Sequence, residues 1–394
     1  MLNFAVKYFS MVVFLSTLTA FFFGFLVTPI VIFFFRKNNM LEIPGGRKIH
    51  KESIPSMGGI GIMLATFIGL AAWLSLDQLA FTRYLLIALG LMFTLGMRDD
   101  LVELTAIQKL LGQCVAALLV VIMADIRITG FYGFAGIHEL PLFLSYGLTF
   151  LTIIVLTNAF NLIDGLDGLA GTISTITLAF LGWWFVSVGL FPYGIIAFTM
   201  VGAILSFLIY NWHPAKIFMG DTGSLSIGFM LSVLVILFID KNGTMVPIQG
   251  LTFNAPIASG VALLIVPIYD TARIFVKRVS KGKSPLAPDK SHVHHFLMRM
   301  GFSHDKVAYI LGGTKLGFIG LMFLGQSFED HYMLPVVIAL ALTLGIILDI
   351  YTLQKVVKFN KNSPTVLSKR RTKKGYKKPH LSHDIFDRDK FNVN

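Results

Sequence analysis

Asparagine, aspartate and glycine residues interrupt an otherwise apolar sequence between Asn158 and Gly171, which reads Asn-Ala-Phe-Asn-Leu-Ile-Asp-Gly-Leu-Asp-Gly-Leu-Ala-Gly. Long apolar runs flank this stretch on both sides. A carboxylate at the middle of a membrane helix costs about 2.5–3.5 kcal/mol. We therefore expect these groups at a membrane boundary or in a polar cavity, where they could form a working site. The structural alternative is a helix–helix turn that uses Asn, Asp and Gly for its geometry.

Oxygen-bearing side chains recur at helical spacing within and after this stretch. Asn161, Asp164 and Asp167 follow one another at three-residue intervals, which places neighbours on one helical face. Asp221 comes just before a further apolar run. Carboxylate and amide oxygens without a thiolate suit a hard cation such as Mg²⁺ or Mn²⁺. The single cysteine, Cys114, lies in an apolar run and excludes both an internal disulfide and a thiolate metal cluster.

A pair of adjacent carboxylates, Asp99 and Asp100, ends another apolar run. Such groups repel one another unless a cation or a proton lies between them. Helical spacing puts Glu103 on the face of one of them, and Lys109 and Gln113 follow one to three turns later. The pair is therefore a second candidate for chemistry at a membrane boundary, and a solvated helix end is the alternative.

Two basic segments could bind phosphate. The first contains Arg47 and Lys48 in a glycine-bearing loop before a helix, where side chains and backbone N–H groups can face a phosphate. The second contains His292, His294 and His295 among arginines and lysines. Their spacing is not the i, i+4 pair of helical zinc sites, so we favour diphosphate recognition over metal binding. For the first segment, a positively charged loop that only orients the chain in the membrane is the alternative.

The composition indicates the class of protein that must position these residues. The chain has 394 residues, of which 55% are hydrophobic and 14% are charged, whereas soluble chains carry about 25% charged residues. We therefore predict an all-α polytopic membrane protein, in which each spanning helix needs about 20 mostly apolar residues. Eleven segments are predicted as spans: 9–35, 54–76, 83–97, 107–123, 143–160, 170–190, 194–212, 222–240, 255–275, 307–325 and 334–352.

Basic residues predict how the chain sits in the membrane. They concentrate in the loops at 36–53 and 276–306 and in the tail, which the positive-inside rule assigns to the cytoplasm. With eleven spans, the N-terminus is periplasmic and the C-terminus is cytoplasmic. Every polar cluster described above then lies on the cytoplasmic side, which favours one shared site. The segment 124–142 becomes an extracytoplasmic excursion, predicted as a small hairpin.

These patterns divide the chain into two parts of unequal size. Residues 1–354 form an integral membrane domain. Residues 355–394 form a basic cytoplasmic tail that we expect to be disordered or associated with the membrane surface. The net charge of +12 can attract anionic lipid or an anionic substrate. Binding of nucleic acid is not expected, because the basic tail is short and is joined to a membrane core.

Between residues 40 and 305 the sequence closely resembles the polyprenyl-phosphate N-acetylhexosamine-1-phosphate transferases, the glycosyltransferase family 4. Within this superfamily it looks like the bacterial undecaprenyl-phosphate N-acetylglucosamine-1-phosphate transferases. Five motifs carry the resemblance: Gly45 to His50, Asp99-Asp100, Asn158 to Gly168, Phe218 to Ser224 and His292 to His295. The family's acidic motif often ends in aspartate where this chain has Glu103, so no required role is assigned to that residue.

The resemblance implies a reaction of a membrane lipid with a sugar nucleotide. A lipid phosphate oxygen attacks the β-phosphate of UDP-N-acetylglucosamine, releases UMP and forms undecaprenyl-diphospho-N-acetylglucosamine, the first membrane step of cell-surface polysaccharide synthesis. The implied partners are UDP-GlcNAc, undecaprenyl phosphate and membrane lipid, and the implied cofactor is Mg²⁺, with Mn²⁺ as an alternative. The implied location is the bacterial inner membrane, and a homodimer is left open.

The resemblance also implies roles for individual residues. Asp99, Asp100 and Asp164 are the predicted catalytic residues, and Asn161 and Asp221 are the predicted metal ligands. The predicted substrate-binding residues are Arg47, Lys48, His50, Lys109, Asp167, Asn211, Phe218, His292, His294 and His295. Asp99 would deprotonate or orient the lipid phosphate. In the alternative, Asp99 is a nucleophile that forms a phosphosugar-enzyme intermediate.

Other functions stay open from the sequence. The same reaction could use GalNAc, a 6-deoxy N-acetylhexosamine or MurNAc-pentapeptide in place of GlcNAc. A transporter of lipid-linked sugars would also place polar residues among broken helices, but near the bilayer midplane and often with internal repeats. The polar clusters of this chain lie at the ends of predicted spans, and its sequence shows no repeat of fixed period. We therefore favour an enzyme over a transporter.

Overall fold

A computed structural model of the chain describes residues 2–38, 54–280, 282 and 292–362. Three predicted substrate-binding residues, Arg47, Lys48 and His50, lie outside these ranges, as does most of the basic tail. Their predicted roles, and the disorder predicted for the tail, therefore stay predictions.

The regular structure of the described residues is helical. We number the helices α1 (Leu2–Lys37), α2 (Gly58–Trp73), α3 (Leu76–Leu101), α4 (Ala106–Leu118), α5 (Leu142–Asn161), α6 (Leu169–Ser187), α7 (Phe191–Asn211), α8 (Gly220–Thr244), α9 (Pro256–Leu263), α10 (Ile265–Val279), α11 (Val293–Arg299), α12 (His304–Leu324) and α13 (Asp330–Asn362). A π-helical turn, Leu119–Met123, extends α4, and a short 3₁₀ turn, Phe134–Gly136, precedes α5.

Each predicted span contains a helix, and most of these helices reach membrane-crossing length. In the described part of the chain, nine helices are long and apolar enough to cross a membrane, and a bent pair could form a tenth. The segment predicted at 54–76 is shorter than expected, because α2 has only 16 residues. At about 1.5 Å per residue it spans about 24 Å, less than the hydrocarbon thickness of about 30 Å. The count of eleven spans and the orientation of the termini stay predictions.

Helix α8 forms the centre of the bundle. Almost every residue between Thr222 and Asp240 is buried, and α8 packs against α2, α3 and α5. A helix that is hydrophobic all round is expected in such a position, because it meets other helices on every side. Its first turn carries Asp221. The most enclosed helix of the protein therefore positions one of the predicted metal ligands.

Glycines let three helices approach one another closely at the start of α8. A Cβ atom added to Gly59 would lie 2.1 Å from the backbone nitrogen of Gly223, and one added to Gly96 would lie 2.4 Å from the carbonyl oxygen of Asp221. Both distances are far below van der Waals contact, so a side chain cannot be accommodated without moving a helix. Small residues allow such close approach of membrane helices. As a result, the end of α3 lies directly beside the first turn of α8.

The segment predicted as one span at 255–275 is broken, so the prediction of a single continuous helix there is wrong. Helices α9 and α10 are bent by 80° relative to each other. Pro267 has no N–H to donate to the carbonyl of Leu263, four residues earlier, and this interrupts the helical hydrogen bonds. The amine of Lys315, a buried residue of α12, donates to that carbonyl instead. This amine thus caps the end of α9, where the last carbonyls have no partner within the helix.

The predicted hairpin within 124–142 is present. The N–H of Leu140 donates to the carbonyl of Thr129 at 2.8 Å. Asp240, near the end of α8, accepts hydrogen bonds from the hydroxyl of Thr129 at 2.6 Å and from that of Tyr132 at 3.2 Å. The hairpin is therefore attached to the central helix at the end remote from Asp221. Its extracytoplasmic position stays a prediction.

Candidate active site

Three charged side chains from three helices meet near the start of α8. Lys109, in the first turn of α4, places Nζ 2.9 Å from Oδ2 of Asp99 and 2.5 Å from Oδ2 of Asp221. Asp99 lies in the last turn of α3, and its Oδ1 also accepts a hydrogen bond of 2.7 Å from the N–H of Leu104. The two carboxylates share one ammonium group, which offsets their mutual repulsion. We call Asp99, Lys109 and Asp221 the carboxylate–lysine centre.

Asparagine side chains of α5 complete this centre. Nδ2 of Asn161 donates to Oδ1 of Asp221 and to Oγ of Ser224, both at 2.7 Å. One turn earlier, Asn158 and Gln113 of α4 exchange two hydrogen bonds, of 2.7 and 3.2 Å. This reciprocal amide pair fixes α5 against α4. It therefore holds Asn161 beside Asp221, and the role of the two residues as metal ligands stays a prediction.

Asp100 contacts the backbone of α8. Its Oδ1 accepts a hydrogen bond of 2.8 Å from the N–H of Asp221, and its Oδ2 accepts from the N–H and the hydroxyl of Thr222 at 2.8 and 2.5 Å. The first N–H groups of a helix have no partners within that helix, so a carboxylate from α3 satisfies two of them here. Gly220, just before them, has φ +71°, a conformation that favours glycine. This geometry makes Asp100 a positioning residue for Asp221, and its predicted catalytic role stays a prediction.

A second buried carboxylate, Asp167, lies in the turn between α5 and α6 with 2% of its surface exposed. Its Oδ2 is 2.8 Å from Nδ1 of His213 and 3.2 Å from Nδ1 of His304. Burial by itself would raise the pKa of Asp167, but hydrogen bonds from His304 and His213 outweigh it and lower the pKa to about 2. The three ligating atoms lie within 4.8 Å of one another, a spacing that could hold a metal ion. Hydrogen bonds already account for that spacing, so we interpret the group as a polar network.

Asn211, the last residue of α7, joins the turn after α5 to the loop before α8. Its Oδ1 accepts a hydrogen bond of 2.9 Å from the N–H of Gly168, and its Nδ2 donates to the carbonyl of Ile217 at 2.9 Å. Phe218, which is half-buried, follows directly in that loop. The side chain of Asn211 therefore holds the turn after α5 and the loop before α8 together. The contact predicted between Phe218 and a nucleotide base stays a prediction.

The three predicted histidines form a group of adjacent rings. The rings of His292 and His294 are nearly parallel, with centroids 5.4 Å apart, and the ring of His295 lies 4.4 Å from that of His294. His294 is buried against Gly165, where an added Cβ atom would lie 3.0 Å from Nε2 of the histidine. Gly165 directly follows the half-buried Asp164. The structure therefore brings the histidine segment to the same turn as the predicted catalytic aspartate.

The protonation of His294 makes stability depend on pH. Burial lowers the pKa of His294 from 6.5 to about 2, and the neighbouring His295, His292 and His304 act in the same direction. Below pH 6.5 the unfolded chain binds a proton that the folded protein excludes, so folding stability falls as the pH falls and is fully present above pH 6.5. This contribution amounts to about 1.4 kcal/mol for each pH unit below that value.

We expect the variant His294→Gln to lose less stability than the wild type on acidification from about pH 7 to about pH 5, because glutamine does not titrate. Thermal unfolding of both proteins in detergent over this range measures the difference between the two pH profiles. The other histidines are present in both proteins and cancel in that difference. Parallel profiles would contradict the expectation.

Sequence reasoning missed three residues of this region: His213 and His304, which contact Asp167, and Asp270, which contacts His292. Asp270 had a usable signal, since it is the one carboxylate within the apolar segment 255–275, and such residues suggest function. His213 lies between Asn211 and Phe218, two predicted substrate-binding residues, and this position was a usable signal. His304 offered no signal, because its partner Asp167 is distant in sequence.

Comparison with known proteins identifies relatives along most of the chain. Residues 82–239 match the family model described as glycosyl transferase family 4. The chain is 36% identical over 293 residues to the probable undecaprenyl-phosphate N-acetylglucosaminyl 1-phosphate transferase of Bacillus subtilis, which covers 73% of this chain and 78% of that protein. It is 32% identical over 341 residues to the decaprenyl-phosphate N-acetylglucosaminephosphotransferase of Mycolicibacterium smegmatis, with 79% of this chain and 81% of that protein covered.

A third relative, the undecaprenyl-phosphate alpha-N-acetylglucosaminyl 1-phosphate transferase of Salmonella typhi, is 29% identical over 330 residues, or 80% of this chain and 86% of that protein. The family region from 82 to 239 includes Asp99, Lys109 and Asp221 of the carboxylate–lysine centre. The helices are apolar and numerous enough for a multi-pass membrane protein. The chain therefore belongs to glycosyl transferase family 4 and is a membrane phosphoglycosyltransferase.

Proposed function

We propose that the enzyme transfers N-acetylglucosamine 1-phosphate from UDP-GlcNAc to undecaprenyl phosphate, which releases UMP and forms undecaprenyl-diphospho-GlcNAc. The observation that carries the proposal is the carboxylate–lysine centre, where Asp99, Lys109 and Asp221 meet beside Asn161. Phosphoryl transfer depends on positioning and charge neutralisation more than on covalent assistance, and this centre offers both. The relatives named as N-acetylglucosaminyl 1-phosphate transferases support the same sugar and the same kind of acceptor.

Asp99 is the group that acts on the acceptor in this proposal. Its two oxygens are held by the N–H of Leu104 and by Lys109, so the carboxylate has a fixed direction. It takes a proton from the lipid phosphate, or orients that phosphate, before a phosphate oxygen attacks the β-phosphate of the donor. Lys109 supplies positive charge beside the phosphates while negative charge moves toward the leaving UMP.

The donor atoms of the centre fit a magnesium ion. Asp221 places Oδ2 against the ammonium group of Lys109 and Oδ1 against the amide of Asn161. The amide of Asn161 can present its oxygen instead of its nitrogen, since the two are exchanged by a simple flip. We assign Mg²⁺, or Mn²⁺, to Asp221 and Asn161, with Asp164 close in sequence to Asn161. Such an ion offsets negative charge on the diphosphate oxygens.

Replacing Asp221 by alanine is expected to weaken divalent-cation binding by at least about tenfold, because a carboxylate is the strongest oxygen ligand of such a site. Binding of Mn²⁺ to the purified protein, followed by electron paramagnetic resonance, measures the affinity directly. Asp240→Ala is the matched control, since Asp240 is a buried carboxylate at the opposite end of the same helix. An unchanged Mn²⁺ affinity in a folded Asp221→Ala protein would remove Asp221 from the metal site.

We assign the remaining predicted residues to two parts of the donor, the uridine and the sugar diphosphate. We assign the uridine end to the region of Asp167, Asn211 and Phe218, which one hydrogen-bonded unit holds together. The phosphates and the sugar are assigned to the histidine segment, with Arg47, Lys48 and His50 from the loop before α2. By the positive-inside rule this site faces the cytoplasm from the bacterial inner membrane, at the first membrane step of a cell-surface polysaccharide.

The proposed reaction is tested with the purified protein in detergent, undecaprenyl phosphate and a panel of UDP-sugars, with UMP release followed with and without Mg²⁺. We expect UMP to appear only with lipid phosphate and Mg²⁺ present, and fastest with UDP-GlcNAc. Faster release from UDP-GalNAc, a UDP-6-deoxy sugar or UDP-MurNAc-pentapeptide would reassign the sugar. Stoichiometric UMP release without lipid phosphate, together with a trapped sugar phosphate on the protein, would favour the two-step route through Asp99.

A further inference from the structure

Asp270 lies in α10, outside the sequence motifs, and only 2% of its surface is exposed. Its carboxylate contacts two consecutive residues at the start of α11. Oδ2 lies 2.8 Å from Nδ1 of His292, and Oδ1 accepts a hydrogen bond of 2.7 Å from the N–H of Val293. His292 is the N-cap residue of α11 and forms no cap with its own side chain. Asp270 therefore caps α11 from another helix and holds the ring of His292 with the same group.

This contact determines which nitrogen of His292 can meet a substrate. An ionised carboxylate only accepts hydrogen bonds, so Nδ1 of His292 must carry the hydrogen that faces Asp270. Nε2, on the opposite side of the ring, is then the nitrogen left for a ligand. With its hydrogen on Nδ1, the ring offers Nε2 as an acceptor, which can meet a hydroxyl or N–H group of the donor.

The ring of His292 packs against the next histidine of the segment, so its position affects that residue too. Its ring lies parallel to that of His294, with an interplanar angle of 6°. His294 in turn lies against Gly165, in the turn that follows Asp164. Asp270 lies in α10, the helix that follows the 80° bend after α9. One carboxylate thus links the bent helix to the predicted phosphate-binding histidines.

We infer that Asp270 is a positioning residue for the sugar-nucleotide donor: it fixes His292 with hydrogen on Nδ1, so that Nε2 is offered as an acceptor to a hydroxyl or N–H group of the donor. This role rests on the proposed function. It differs from a purely structural cap, because it requires a carboxylate and acts through the histidine. The distinction can be measured, since an amide can replace the carboxylate as a cap and yet reverse the hydrogen placement on His292.

The variant Asp270→Asn provides that test. Asparagine can accept from Val293 through its oxygen and donate from its nitrogen to Nδ1 of His292, which moves the ring hydrogen to Nε2 and removes the negative charge. We expect kcat/KM for UDP-GlcNAc to fall by about 10–100-fold, the usual effect of removing a carboxylate that orients a functional histidine. Asp270→Glu keeps the carboxylate and should lose less. An equal loss in both variants would contradict a role for the charge.

Asp330→Asn is the matched control for the loss of a buried cap. Asp330 is 3% exposed and accepts hydrogen bonds from the N–H groups of Ile257 and Ala258, at 3.2 and 2.7 Å, at the start of α9. Both Asn variants should lower the melting temperature to a similar extent, whereas only Asp270→Asn should lower kcat/KM. A similar loss of kcat/KM in Asp330→Asn would reduce Asp270 to a structural cap.

A double-mutant cycle with His292→Ala completes the experiment. If Asp270 acts through His292, Asp270→Asn should cause no further loss of kcat/KM in the His292→Ala background. Additive losses would overturn the inference. Turnover of the wild type is measured first. A wild type that releases no UMP refutes the proposed function. Normal wild-type turnover together with additive losses refutes only the role of Asp270.

Discussion

Replacing Asp99 by asparagine should lower kcat by about 10²–10⁴-fold, the usual contribution of a general base, while the protein stays folded. The amide keeps the shape of the side chain and can still accept from the N–H of Leu104. It cannot accept a proton from the lipid phosphate, and it removes one of the two negative charges that hold Lys109. UMP release under saturating substrates measures kcat, and the melting temperature reports folding.

Glu103→Gln is the control for this variant, because Glu103 is an exposed carboxylate four residues further along the chain. It should retain nearly full activity, in agreement with the absence of an assigned role. Binding of UDP-GlcNAc to Asp99→Asn should be little changed, because Asp99 acts on the acceptor in the proposed reaction. An Asp99→Asn protein that keeps more than about a tenth of the wild-type kcat would exclude Asp99 as the general base.

Replacing Asp100 by alanine should destabilise the protein by several kcal/mol and abolish activity as a consequence. The change leaves the N–H groups of Asp221 and Thr222 and the hydroxyl of Thr222 without their acceptor. Each unsatisfied buried donor costs about 1–3 kcal/mol. Asp221 would lose its fixed position at the same time. Thermal unfolding and UMP release are measured on the same preparation.

Asp77→Ala serves as the comparison for Asp100→Ala, since Asp77 is an exposed carboxylate at the other end of α3. It should change the melting temperature little. The two possible roles of Asp100 give different results. An Asp100→Ala protein with a normal melting temperature but no activity would restore the catalytic role predicted from the sequence, whereas a large loss of stability supports a cap.

Most of the long helices could be predicted from the sequence because each contains a long apolar run that is bounded by polar or glycine-containing turns. The break near Leu263 was missed although Pro267 marks it, because the apolar composition continues on both sides and proline is tolerated in membrane helices. The capping amine comes from Lys315, whose pairing with a carbonyl in another helix leaves no local pattern.

The types of residue in the site could also be predicted, but their pairing could not. A lone carboxylate pair indicates chemistry, yet nothing local shows that Asp99 faces Lys109 while Asp100 faces the backbone of α8. That division depends on how closely α3 approaches α8, which is set by contacts between distant segments. The same holds for Asp270 and His292, which are joined by packing rather than by spacing.

Gly59 and Gly96 limit how this enzyme can be made more thermostable. Exchange of helical glycine for alanine commonly raises thermostability by restricting the unfolded chain. At Gly59 and Gly96 this strategy is barred, because an added methyl group would collide with the backbone of α8 beside Asp221. Thermostabilising substitutions should therefore be sought at glycines such as Gly90 or Gly317, where an added methyl group meets open space.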